Sequence, residues 1–182
     1  MLDRITKRIP NAITSLNLIS GCVAVFMAFN METVYGPLCG GQWAIAAMGV
    51  AALFDFLDGL SARLLHSYSD LGKDLDSLSD LVSFGVAPAM LILNLMLLHG
   101  TVLWPAFAAL LIPVFGAFRL AKFNNDSEQA TTFRGMPIPA NAIFWCGIYG
   151  WTESYGYPGW PVMLILIAML CWAMVGNFKM FS

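Results

Sequence analysis

The chain has 182 residues, 59% of them hydrophobic and only 11% charged, with a formal net charge of -2. A soluble domain is about a quarter charged, so this chain cannot build a water-facing surface around a core, and its apolar content excludes intrinsic disorder. A slightly acidic chain also gives no footprint for nucleic acid, and the length fits one compact membrane domain over residues 1–182.

A spanning helix needs about 20 predominantly apolar residues. Ahead of the first such run, Leu2–Ile9 carries Arg4, Lys7 and Arg8 and reads as a short amphipathic helix on the inner leaflet. It does not read as a signal peptide, because its charges run into Pro10 and a full-length span without a small-residue cleavage site. Apolar runs follow near 11–30, 43–65, 78–98 and 101–121. A shorter fifth, near 139–151, opens at Pro137-Ile138-Pro139 and carries Trp145, Tyr149 and Trp151 toward its far end; a sixth lies near 159–176. Gly36-Pro37 with Gly40-Gly41, His99-Gly100 and Gly156 to Gly159 mark brief turns between them. The expected fold is an all-α integral membrane protein with six transmembrane helices.

The basic residues orient this plan, since cytoplasmic flanks collect Lys and Arg. Arg4, Lys7 and Arg8 precede span one, Arg63 and Lys73 separate spans two and three, Arg119, Lys122 and Arg134 separate four and five, and Lys179 follows six. All lie on one side; the opposite connections hold only Glu32 and Glu153. Both termini are therefore expected in the cytoplasm, and omitting the short fifth span would strand Lys179 outside. Cys22, Cys39, Cys146 and Cys171 form no CxxC pair and read as packing residues.

Asp55 and Asp58 inside span two, and Asp76 and Asp80 leading into span three, each cost about 2.5 to 3.5 kcal/mol near a bilayer centre. Asp55, Asp58, Gly59, Ala62, Arg63 and His66 share one helical face, and Gly72, Asp76, Asp80 and Ser83 share another if that helix starts early enough. A hairpin joining the two helices would point four carboxylates at one volume, and an all-oxygen set favours a hard cation such as Mg²⁺, Mn²⁺ or Ca²⁺, with room for two ions. The alternative, that these acids are helix caps as Asp70 and Asp74 in the loop would be, leaves their insertion cost unexplained. Gly59 and Ala62 leave space for a nucleotide, Arg63 can neutralise a phosphate, and His66 reads as an interfacial residue because hard cations prefer oxygen. An ion or proton-coupled transporter would also use intramembrane acids, but these gather at the inner interface and the outer halves of the spans offer almost no polar path.

The run Asp55, Asp58, Gly59, Ala62, Arg63, then after eight residues Gly72, Asp76 and Asp80, resembles the signature of the CDP-alcohol phosphatidyltransferase family. The resemblance implies a six-helix core, two divalent ions, Mg²⁺ or Mn²⁺ with Ca²⁺ as a non-productive occupant, and transfer of a phosphatidyl group from CDP-diacylglycerol to an alcohol with release of CMP. It assigns Asp55, Asp58 and Asp76 to one ion and Asp55, Asp76 and Asp80 to the other, and Asp80 also to the proton of the attacking hydroxyl. Asp58, Gly59, Ala62, Arg63, Gly72 and Thr14 would border the nucleotide and its diphosphate.

Three further stretches, residues 10–18, 76–89 and 119–124 followed by 133–140, are similar to the membrane-integral phosphatidylserine synthases, which implies L-serine as acceptor rather than glycerol phosphate or inositol phosphate. Lys122 stands where that family more often has Arg, and Met136 where it has Leu. Arg119, Lys122 and Arg134 are the cations near spans four and five that could meet a serine carboxylate, with Asn124 as polar partner; enforcing topology is their other possible role. The resemblance also implies a homodimer among membrane lipids, an active site at the cytoplasmic face of a prokaryotic inner membrane, and relatives with two further helices, beside which this chain reads as a minimal or truncated core.

Overall fold

The computed structural model describes residues 8–65, 69–125, 133–176 and 179–181 and is almost wholly helical. Helix α1 (Arg8–Phe29) accepts Pro10 in its first turn, where a missing N–H has no intrahelical partner to lose. It buries Thr14, Asn17, Gly21, Ala24 and Ala28, a stripe that recurs every three or four residues. A small hairpin of β1 (Val34–Tyr35) and β2 (Leu38–Cys39) turns at Gly36, whose φ of 67° suits glycine, and sends the chain back. Helix α2 (Gly40–Leu64) then packs along α1, with Gly40 against the Met27 and Asn30 carbonyls and with Ala44, Met48, Ala51 and Asp58 buried along its length. Small residues on both stripes let the two backbones approach closely.

Helix α3 (Asp70–Asp80) starts at Ser69, whose hydroxyl accepts the Gly72 N–H at 3.0 Å. It continues through a π-helical segment, Leu81–Val86, into α4 (Ala87–Leu98), so that one helix runs over Leu71–Leu98. Pro88 explains the change of winding: it lacks the N–H that would bond to Phe84 in α register, and the Ala87 N–H bonds to Val82, five residues back. The apolar run near 78–98 is therefore only the buried part of a longer helix. Asp70 and Asp74, expected in a loop, stand in its first turns, because Ser69 caps a polar stretch that hydropathy does not register. In its most apolar stretch this helix is 61% buried, against 22% to 28% for the other three long apolar helices, so it forms the centre of the bundle.

Helix α5 (Leu103–Ala106), a 3-10 turn (Phe107–Leu110) and α6 (Leu111–Asn125) form one helix over Leu103–Asn125. Helix α7 (Ile138–Tyr155) extends beyond the run near 139–151 at both ends, and α8 (Trp160–Val175) follows. The strands β3 (Phe133–Arg134) and β4 (Lys179–Phe181) pair antiparallel, and the Met136 N–H bonds to the Ala173 carbonyl at 3.0 Å. The start of α7 and the end of α8 thus meet at one end of the bundle, which puts Arg134 and Lys179 side by side. Neither strand pair is visible in an all-α reading of the sequence.

Four helices, Pro10–Phe29, Gly40–Leu64, Leu71–Leu98 and Leu103–Asn125, are long and apolar enough to cross a membrane; α7 and α8 are not among them. The amphipathic segment expected at Leu2–Ile9 falls mainly on residues outside the described ones, as does His66.

Candidate active site

The start of α1, the end of α2 and the start of α3 converge at one end of the bundle. One carboxylate oxygen each of Asp55, Asp76 and Asp80 lies within 4.8 Å of the other two. Asp76 Oδ1 is buried and has no hydrogen-bond partner among the described residues. Carboxylates this close repel one another unless they share protons or a cation, and an orphaned buried oxygen in an all-oxygen set fits a hard divalent ion. Asp58 is held outside this group: Thr14 Oγ1 donates to its Oδ2 at 2.5 Å, and the residue is only 5% exposed.

Beside the acids lies a cavity of about 610 Å³. Pro10, Asn11 and Thr14 of α1 wall one side, Asp58, Gly59, Ala62 and Arg63 of α2 another, and Gly72, Lys73 and Asp76 of α3 a third, with Phe123 of α6 at the edge. A Cβ built on Gly59 would meet no heavy atom within 4 Å, so the glycine faces open space that a ligand can fill. Every residue expected at the nucleotide, including Thr14 and Gly72, lines this one cavity together with Asp76.

The residues expected at the acceptor are arranged differently. Arg119 is half-buried, its Nε has no partner among the described residues, and its guanidinium carbon stands 5.9 Å over the Phe123 ring. Asn124 is a strut: its side-chain amide donates to Ser77 Oγ at 2.9 Å and its main-chain carbonyl accepts from Lys73 Nζ at 3.1 Å, tying the end of α6 to the start of α3. Lys122 is exposed, and Arg134 lies in β3. Arg119, Lys122 and Asn124 do not line the cavity.

A layer of polar groups between α1 and the central helix escapes a search for charged residues. Asn17 is fully buried and its Nδ2 points at Asp80 Oδ1 at 3.5 Å. Ser79 and Ser83, also fully buried, bond to the carbonyls of Thr14 and Asn17 at 3.2 and 3.1 Å. The signal was present in the sequence as polar residues, Thr14 and Asn17, on the small-residue stripe of α1.

The sequence profile of the CDP-alcohol phosphatidyltransferase family matches residues 7–176, nearly the whole chain. The chain belongs to this family. Among curated family members, the chain is 35% identical to a Mycobacterium leprae protein over 159 residues, 84% of this chain and 50% of that one. It is 37% identical to a Bacillus subtilis protein over 133 residues, 72% of this chain and 69% of the other, and 33% identical to a Methanocaldococcus jannaschii protein over 171 residues, 94% and 72%. All three carry the name CDP-diacylglycerol-serine O-phosphatidyltransferase. The chain spans about half the length of the mycobacterial relatives it matches.

Proposed function

We propose that the chain transfers the phosphatidyl group of CDP-diacylglycerol to the hydroxyl of L-serine, giving phosphatidylserine and CMP. The observation that carries this reading is the Asp55, Asp76 and Asp80 cluster, with its orphaned Asp76 oxygen, set against a cavity that the absent side chain of Gly59 leaves open. Family membership and the names of the relatives support the reaction and the acceptor.

In this reading Asp55, Asp76 and Asp80 hold one Mg²⁺ or Mn²⁺ ion, and Asp55, Asp58 and Asp76 a second. When bound, the ions neutralise the diphosphate and stabilise the departing CMP oxygen. Gly59, Ala62 and Gly72 give the nucleotide room, Arg63 and Lys73 face its phosphates, and Thr14 fixes the orientation of Asp58. Asp80 accepts the serine hydroxyl proton as the serine oxygen bonds to the phosphorus on the diacylglycerol side and the bond from that phosphorus to the CMP oxygen breaks. Arg119 receives the serine carboxylate, which supplies the partner its buried Nε lacks. Lys122, Asn124 and Arg134 complete the acceptor side.

The same reading has six spans with both termini in the cytoplasm of a prokaryote and the site at that face, in a homodimer. The basic residues support it: Arg63, Lys73 and Lys122 stand at the acid-bearing ends of α2, α3 and α6, and Arg134 and Lys179 pair in the short strands before α7 and after α8. The test is CMP release from CDP-diacylglycerol by purified protein with Mn²⁺ or Mg²⁺ as the acceptor is varied. Release that requires serine supports the proposal; release with glycerol phosphate or inositol phosphate instead overturns serine, and no release with any alcohol overturns the transferase reading.

A further inference from the structure

We propose that Asn17, oriented by Ser83, is a positioning residue for Asp80: its amide fixes one carboxylate oxygen and thereby sets which oxygen faces the acceptor hydroxyl. The proposal rests on the reading of Asp80 as the proton acceptor. Asn17 and Ser83 are both fully buried, and a buried amide is costly unless its donor and acceptor ends are used. Ser83 Oγ stands 2.7 Å from Asn17 Oδ1, and Asn17 Nδ2 stands 3.5 Å from Asp80 Oδ1. The chemistry fixes the direction of the amide. Turned over, it would present its oxygen to a carboxylate oxygen, and the Ser83 O–H, whose nearer acceptor is Oδ1, would lose that acceptor.

The frame around this pair is stiff. Ser79 and Ser83 bracket Asp80 along the central helix; the Ser79 hydroxyl bonds to the Thr14 carbonyl of α1, and the one Ser83 proton is shared between Asn17 Oδ1 and the Asn17 carbonyl. A Cβ on Gly21 would lie 2.9 Å from the Ser83 Cα, so only glycine there lets α1 come this near. The π-helical segment begins at the residue after Asp80 and carries Ser83. A contact between two rigid backbones, closed by one oriented amide on a reacting carboxylate, is how an active site holds a group in its working geometry.

A polar seam that only glues two helices together would have the same contacts, so the test must read the link to Asp80. Asn17→Leu and Ser83→Ala are made in the native chain and in Asp80→Asn, and kcat and KM for CMP release are measured for each in folded, detergent-purified protein. Asn17→Leu should lower kcat about 10- to 100-fold with little change in the KM for CDP-diacylglycerol, and Ser83→Ala should lower it less, in the same sense. In the Asp80→Asn background, neither substitution should lower the residual rate further, because the group they position no longer takes the proton. An equal fold-loss in both backgrounds overturns the proposal in favour of a packing role, as does a raised KM at unchanged kcat. If Asn17→Leu does not fold, Ser83→Ala decides alone, and native kcat in it overturns the proposal. Asp80→Asn with undiminished turnover defeats the proton-acceptor reading and this proposal with it, whereas an inactive Asp80→Asn beside a fully active Asn17→Leu defeats only the proposal.

Discussion

The acid wall built by α1, α2 and α3 and the basic edge at the end of α6 hold their side chains in contrasting ways. On the acid wall neutral side chains reach across from a neighbouring helix, Thr14 on Asp58, Asn17 on Asp80, and Ser79 and Ser83 on α1 carbonyls, and Asp76 Oδ1 is left open beside the cavity. On the basic edge Asn124 is tied to α3, but the cations are held less deeply: Lys122 is solvent-facing and Arg119 keeps a buried Nε without a partner among the described residues. The central helix explains the contrast, since its Asp76 and Asp80 belong to the most buried of the long apolar helices, whereas the basic residues sit where α6 leaves the bundle. A carboxylate cluster needs geometry fixed in advance, because reorganisation during the reaction would be costly. A site for a small zwitterion can instead be completed by the ligand itself.

The difference can be broken most severely on the acid side. Asp55→Asn or Asp76→Asn should abolish turnover and divalent-ion binding, read by Mn²⁺ titration, while leaving the fold intact, since loss of a charge from a membrane interior carries no insertion cost. Full activity in either variant would mean that the cluster is not the metal site. Asp80→Asn should lose about 10² to 10⁴-fold in kcat while still binding CDP-diacylglycerol in direct titration. Loss of binding along with turnover would make Asp80 chiefly a metal ligand.

On the basic edge the expected effects are smaller and fall on the other substrate. Arg119→Ala should raise the KM for serine about tenfold or more, with little effect on that for CDP-diacylglycerol, because it removes a charge-assisted contact to the acceptor only. Lys122→Ala, at an exposed position, should change it by only about two- to threefold. If both substitutions weaken CDP-diacylglycerol instead, the basic edge serves the diphosphate. Gly59→Val separates space from charge: its side chain would enter the open cavity, so the KM for CDP-diacylglycerol should rise with the fold unchanged. Gly49→Val, where a Cβ also meets nothing within 4 Å and which does not line this cavity, is the control and should be silent.

Much of the site was legible because charge inside an apolar helix is conspicuous. Asp55, Asp58, Gly59, Ala62 and Arg63 declare a shared face by spacing alone, and that face lines the cavity from Asp58 to Arg63. Neutral polar residues carry no such signal. Asn17 looks like an ordinary member of an apolar run, and Ser83 declares only that it shares the face of Asp76 and Asp80, until the packing of α1 on the central helix shows both sealed from solvent, with Ser83 on Asn17 and Asn17 on Asp80.

Composition, the apolar runs and the acids set within them determined that this is a helical membrane chain with an acid-rich end. These are properties of local sequence set against the bilayer, and they need no partner to express them. The tertiary structure decided which helix is central, where α3 begins and how the four acids divide. Helix α3 starts at Asp70 because Ser69 caps it, and the winding changes after Asp80 because Pro88 has no N–H to give. Asp55 joins Asp76 and Asp80 while Asp58 turns to Thr14, although both leave the same helix face. Spacing along one helix fixes only a direction; which group stands there depends on the neighbouring helix, and that is settled by packing across the bundle.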